Sequence, residues 1–178
     1  NVRVEDSLGC VDTANIDLTQ PDILEYILDT ILNVSCKNLC TGFVSITPKG
    51  GTTPYQVIWY GLPSEPTGNS VSSLCDGTWK FEIEDNNNCL DSGEVIITEP
   101  ALELTSSITD TTHNLCFENC NGNATVNAAG GTGVITYDWY DSPDGDIDIQ
   151  TESLCAGTFN VKVTDENGCM NTSTVTIT

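Results

Sequence analysis

Basic side chains are nearly missing from this chain: five lysines and arginines face 26 aspartates and glutamates, a formal net charge of −21. A surface of that sign repels phosphate backbones and anionic membranes, which excludes nucleic-acid binding as a function. Histidine occurs once and no Cys-x-x-Cys pair exists, so a Cys/His zinc site has too few ligands. No apolar run approaches the ~20 residues of a membrane helix, and no signal peptide is visible, so no direct membrane insertion is expected. High net charge alone would fit disorder, but 38% of residues are hydrophobic and three are Trp, enough to build cores. What the chain does have is cysteine, nine in 178 residues. That density points to an oxidising, extracellular compartment.

The cysteines recur in register. Cys36 maps to Cys116 at an offset of 80 (116 − 36), Cys40 to Cys120, Cys75 to Cys155 and Cys89 to Cys169. Gly50-Gly51-Thr52 maps to Gly130-Gly131-Thr132, Trp59-Tyr60 to Trp139-Tyr140, and Asp85 to Asp165 in the same register. At an offset of 79, Glu5-Asp6 and Cys10 map to Glu84-Asp85 and Cys89, and Pro21 to Pro100. The organisation expected is therefore the C-terminal hairpin of a preceding repeat at 1–20, one complete repeat at 21–99 and another at 100–178, within a longer polypeptide. The links at Pro21 and Pro100 are nearly zero-length, so the repeats should stack end to end.

Within a repeat, apolar and polar residues alternate over Phe43–Thr47, Tyr55–Trp59, Trp79–Glu84 and Glu94–Thr98, a period-2 signal rich in β-formers. Turn residues separate these runs, among them Pro48-Lys49-Gly50-Gly51 and Asp165-Glu166-Asn167-Gly168. One segment, Ile23 to Leu32, places apolar residues at helical spacing. Its counterpart Ala101–Thr105 alternates as a strand, and two copies of one fold should agree, so strand is expected in both. About seven strands per repeat predict an all-β fold of tandem immunoglobulin-like sandwiches stacked end to end. Trp59 and Trp139 belong on the third strand, buried against the opposite sheet, and Trp79 and Phe159 should plug the base of each sandwich.

The order Cys36, Gly50-Gly51-Thr52-Thr53-Pro54-Tyr55, Trp59, Leu74-Cys75-Asp76-Gly77-Thr78-Trp79, Asp85-Asn86-Asn87-Asn88-Cys89 and Ile97-Thr98-Glu99-Pro100 resembles the SprB-type repeat. That resemblance implies a cell-surface adhesin of gliding Bacteroidota, exported by the type IX pathway. The departures are local. Trp79 and Phe159 stand where the family has Tyr, which should remove a corner hydroxyl bond. Val134-Ile135 replaces Pro-Tyr, and Asn88 replaces a turn Gly. Asp6-Ser7-Leu8, Asp12-Thr13-Ala14, Asp29-Thr30-Ile31 and Asp110-Thr111-Thr112 look like the O-glycosylation acceptors of this bacterial group.

In such a sandwich the turn holding Cys36 and Cys40 lies at the same end as the turn holding Cys75. Bridges Cys40–Cys75 and Cys120–Cys155 follow. Cys89 lies at the other end of a strand roughly 23 Å long, beyond the ~7 Å Cα limit of a disulfide. Two pairings stay open for the rest. Cys36 bridges Cys169 across the repeat boundary, leaving Cys10, Cys89 and Cys116 unpaired in this chain. Alternatively, Cys36 pairs with Cys89, and Cys116 with Cys169, within each repeat.

Asp141, Asp144, Asp146 and Asp148 surround Gly145 in a composition that suits calcium, although the spacing is not that of an EF-hand. The alternative is a solvated acidic loop, and no other cofactor is implied. His113 stands alone and no nucleophile–base pair is visible, so an enzyme is not expected. Three functional readings remain: a structural stalk module whose partners are neighbouring repeats, a module binding a glycan or protein ligand through its end loops, and a subunit of a self-assembling extracellular filament.

Overall fold

The computed structural model describes residues 1–116, 120–141 and 148–178. Fourteen strands run through them. β1 (Val2–Glu5) and β2 (Val11–Ala14) form an exposed hairpin. The next six are β3 (Glu25–Leu32), β4 (Gly42–Lys49), β5 (Gln56–Tyr60), β6 (Ser70–Leu74), β7 (Gly77–Glu84) and β8 (Leu90–Ile97). They pair antiparallel into two sheets, β3-β4-β6 and β5-β7-β8. The pattern then repeats. β9 (Thr105–Thr112), β10 (Gly122–Ala129) and β12 (Gln150–Leu154) make one sheet, and β11 (Thr136–Asp138), β13 (Gly157–Thr164) and β14 (Met170–Ile177) the other. This is an all-β, immunoglobulin-like arrangement, in which each sandwich opens and closes with a hairpin within one sheet and the chain crosses between sheets in the middle.

The period-2 pattern buries one face of each sheet. β4 turns Val44 and Ile46 inward, β5 Val57 and Trp59, β7 Phe81 and Ile83, and β8 Val95 and Ile97. The second core draws on Ala124, Val126, Trp139, Val161, Val163, Val175 and Ile177. No residue belongs to both clusters: the first lies within Leu24–Ile97, the second within Leu104–Ile177.

The helical spacing of Ile23–Leu32 has a structural cause. β3 is a strand with a bulge: Leu28 pairs with Ile46 and Thr30 with Ser45, so Asp29 is an extra residue. Past the bulge the inward and outward positions exchange, which breaks strict alternation. β9 carries the same bulge at Thr109, between Ile108 and Asp110. β3 is also an edge strand with Ile27, Leu28, Ile31 and Leu32 exposed, so burial does not discipline its pattern.

The expected strand count needs correction. The first sandwich has six strands rather than seven. Between β5 and β6 the chain makes one bridge, Ile58 to Thr67, and no strand. Pro63 and Pro66 have no N–H to offer a ladder, and Gly61 and Gly68 hold positive φ.

The two cores solve one packing problem differently. In the first, Tyr26 packs edge-on against Phe81 with ring centroids 4.9 Å apart, and Gly93 sits beneath both rings, where a Cβ would collide with them. The equivalents are Ser106, Val161 and Ser173. There, the Ser106 and Ser173 hydroxyls bond each other at 2.7 Å across the same space.

Candidate functional site

The chemistry-bearing residues converge where the two sandwiches meet. On the first, Cys36 lies in the loop from β3 to β4, which is pinned at several points. Val34 N–H donates to the Thr98 carbonyl at 2.9 Å, and Thr98 N–H to Asn33 Oδ1 at 3.0 Å. Ser35 N–H donates to Thr41 Oγ1 at 3.0 Å. Glu99 grips the loop with both oxygens. Oε1 takes Lys37 Nζ at 2.6 Å and Oε2 takes Asn38 N–H at 2.8 Å. The Lys37 bond, then the Asn38 N–H, hold the Glu99 carboxyl below the usual glutamate range. Because Glu99 immediately precedes Pro100, the clamp fixes the loop to the start of the second sandwich.

On the second sandwich, Cys169 closes the turn between β13 and β14. Asp165 organises that turn. Its Oδ1 accepts Asn167 N–H at 3.0 Å and Cys169 N–H at 2.9 Å, and its Oδ2 accepts Thr132 N–H at 2.8 Å. Gly131, at φ +69°, has no Cβ to strike the Asp165 carboxylate, which explains the Gly-Gly-Thr motif. The first copy repeats the arrangement, with Asp85 taking N–H bonds from Asn87, Cys89 and Thr52.

The two faces are joined covalently. Cys36 and Cys169 form a disulfide with Cα atoms 5.6 Å apart across 133 residues of sequence. Asn167 Nδ2 donates to the Ser35 carbonyl at 3.1 Å, and Cys169 Sγ lies 3.3 Å from the same oxygen. Once bridged, that sulfur has no proton to donate, so the second approach is a contact only. Beside the bridge is a groove of about 280 Å³, lined in part by Leu39, Leu102 and Met170.

Cys40–Cys75 and Cys120–Cys155 are also bridged, each spanning 35 residues. Cys10, Cys89 and Cys116 are free and exposed. The two short loops nest inside the long one, so closing it spans 63 further residues (133 less two spans of 35). A loop of that size removes about 4 kcal/mol of unfolded-chain entropy.

Trp59 and Trp139 are buried, and their indole N–H groups donate to the Gly68 and Asp148 carbonyls at 2.8 and 3.0 Å. Trp79 is half-buried and Phe159 buried. The expected loss of a corner hydrogen bond is corrected at Trp79, whose Nε1–H donates to the Cys75 carbonyl at 3.1 Å in place of a hydroxyl. Phe159 has no side-chain donor. Of the candidate calcium ligands, Asp144 and Asp146 lie outside the described residues. Asp141 accepts a hydrogen bond from Asn160 Nδ2. Among the described residues no cluster of three or more His, Cys, Asp or Glu is disposed to hold a metal ion.

Residues 108–144 match the family model described as SprB repeat. The matched stretch includes Cys116, Cys120, the Gly-Gly-Thr turn and Trp139. No curated protein sequence matches the chain. Among solved structures, it is similar to the C-terminal 282-residue fragment of intimin in complex with the translocated intimin receptor intimin-binding domain. The identity is 16% and the TM-score 0.42, over 89% of this chain and 64% of that one, so the chain spans about two-thirds of the fragment's length. It is also similar to DIP-gamma IG1+IG2, at 12% identity and a TM-score of 0.30, over 87% of this chain and 96% of that one.

Asp85 makes the stability of this chain pH-dependent. In Asp85 the Cys89 N–H, then those of Thr52 and Asn87, hold the carboxyl below its ordinary value of 3.8 against the opposing effect of burial. A carboxylate depressed in the folded state stabilises above its unfolded pKa, and that contribution disappears as pH falls through the folded pKa. The thermal midpoint should therefore be level well above the ordinary value of 3.8 and drop as the pH falls through and below it. Asp85→Asn should shrink that drop. A melting series across this range checks it; an Asp85→Asn profile with the wild-type drop would contradict the assignment.

Proposed function

We propose that this chain is a structural stalk module of a large secreted cell-surface adhesin, giving reach together with mechanical and proteolytic resistance. The SprB match and the immunoglobulin-like sandwiches support an adhesin repeat module in general. The Cys36–Cys169 bridge carries the finer reading. A hinge between sandwiches would use a flexible linker and a wet, polar interface. Here Glu99-Pro100, the Lys37–Glu99 pair and a covalent bond oppose relative motion instead. The residues spent on the junction are ones that hold, and none of them forms a nucleophile–base pair. The module is therefore non-catalytic, its first partners are the neighbouring repeats, and it works outside the cell, where thiols oxidise. Within this reading it is exported by the type IX pathway and serves adhesion in gliding.

Peptide mapping of the secreted protein without reduction tests the proposal. A Cys36 peptide linked to the Cys169 peptide is expected; a Cys36–Cys89 peptide would overturn it.

A further inference from the structure

A hollow of about 380 Å³ opens on the outer face of the β5-β7-β8 sheet, within the first sandwich. The strand register builds it. Lys80 pairs with Glu94 and Glu82 with Ser92, and these four outward side chains stand at its corners. Its floor is the Phe81–Gly93 pair between them, where one side chain is turned into the core and the other is absent. Tyr60 pairs with Lys80 from the neighbouring strand and walls one side, at 38% exposure.

The polar groups around this hollow are unspent. Of the chain's five basic residues, Arg3, Lys37, Lys49 and Lys162 each hold a carboxylate. Lys80 has Glu94 directly across the ladder and Glu82 two residues along, yet among the described residues it forms an ion pair with neither. The Ser92 hydroxyl and the Glu94 carboxylate also have no hydrogen-bond partner among the described residues. The Glu82 carboxylate has the Tyr60 hydroxyl, at a long 3.5 Å. The second sandwich uses the same face differently. Asn160, Lys162, Thr172 and Thr174 hold the positions of Lys80, Glu82, Ser92 and Glu94. There Lys162 Nζ is on Asp138 at 2.8 Å, Asn160 Nδ2 donates to Asp141, and Thr174 Oγ1 donates to Asn160 Oδ1 at 2.7 Å. β11 also ends at Asp138, so Tyr140 stands beyond the strand, whereas β5 runs on to Tyr60.

We propose that the hollow beside Tyr60 binds a neutral saccharide. The face of a sugar ring carries C–H groups, which pack on the Tyr60 ring, and its hydroxyl rim needs donors and acceptors together. Lys80 supplies donors, the Glu82 and Glu94 carboxylates acceptors, and Ser92 both. Charge narrows the class. A carboxylated or sulfated glycan would meet Glu82, Glu94 and a chain of net charge −21, while a cationic ligand would meet Lys80 at the rim. Uncharged hydroxyls satisfy groups of both signs. The site lies on a sheet face inside one sandwich, not in the end loops, so it is independent of the Cys36–Cys169 junction. A module carrying it engages glycan from its side and leaves both ends to neighbouring repeats.

The test titrates the isotope-labelled full chain with neutral tetrasaccharides of glucose, galactose and mannose, and with a sulfated chondroitin tetrasaccharide, and follows backbone amide signals by NMR. At least one neutral tetrasaccharide should shift the signals of Tyr60, Lys80, Glu82, Ser92 and Glu94 saturably, and the sulfated one should leave them in place. Tyr60→Ala should raise the dissociation constant about tenfold, the loss typical of truncating a central aromatic contact. Tyr60→Phe keeps the ring and should stay within about threefold of the wild type. Lys80→Gln should weaken binding without lowering the thermal midpoint, and Tyr140→Ala should change neither. The absence of a saturable shift with all three neutral sugars would overturn the proposal. So would shifts centred on another surface, tighter binding of the sulfated sugar, or a Tyr60→Ala chain that binds like the wild type.

Discussion

Pulled by its two ends under oxidising conditions, a Cys36→Ser variant should yield about 220 Å more contour length than the wild type, at ~3.5 Å per residue. The reason is the route the force takes. In the wild type, tension enters through β3, crosses from Cys36 to Cys169 and leaves through β14. Everything between those two cysteines is shunted, and a sequence separation of 133 residues contributes no extension while the bridge holds. Without Cys36 the load passes along the backbone, and only the two spans of 35 residues closed by Cys40–Cys75 and Cys120–Cys155 stay locked. The difference is 133 less two spans of 35, or 63 residues. Reductant should release all 133 in the wild type, about 470 Å at the same rise per residue. Single-molecule force spectroscopy on chains tethered at both termini measures these lengths directly. Equal release from wild type and Cys36→Ser under oxidising conditions would mean that the bridge is not in the load path.

The two-copy register is what made much of this arrangement legible. A residue that recurs at one offset is under the same geometric demand twice, so the Gly-Gly-Thr turn, the Asp-x-Asn-x-Cys turn and the core tryptophans stood out before any coordinates. The register placed Asp85 and Asp165 beside their cysteines, but it could not say that each carboxylate reaches 33 residues back to a threonine N–H. That contact depends on Gly51 and Gly131 leaving room, a matter of backbone shape. The Lys37–Glu99 clamp was invisible for the opposite reason. Phe117 stands in the place of Lys37, and the position matching Glu99 in the second copy falls after Thr178, so no recurrence marks the pair. β3 misled because a bulge at Asp29 shifts the phase of its side chains and an exposed edge tolerates apolar residues on its outer face. The order of strands came through; the count did not, since prolines between β5 and β6 suppress a strand that family-level expectation supplies.

The separation of the cores leads to the second large effect, in thermal stability. Trp59 is 1% exposed, packs against Phe81 at a centroid distance of 4.9 Å and donates its indole N–H to Gly68. Truncating a buried aromatic of this size costs about 3–5 kcal/mol through lost transfer energy and the cavity left behind. In a unit of roughly 80 residues each kcal/mol moves the midpoint by about 4–8 °C, so Trp59→Ala should lower the first sandwich's transition by at least ~12 °C. Trp139→Ala should do the same to the second sandwich only, by a smaller amount, because Val161 rather than an aromatic stands in the place of Phe81. No buried residue is shared between the clusters, so each substitution should leave the other transition in place. The short bridges act within single sandwiches and the long one ties their ends, so a cavity in one core has no packed route into the other. Differential scanning calorimetry of both variants resolves this as one displaced peak and one stationary peak. If either substitution moved both peaks together, the sandwiches would be one cooperative unit, and the rod would fold and fail as a whole rather than bead by bead.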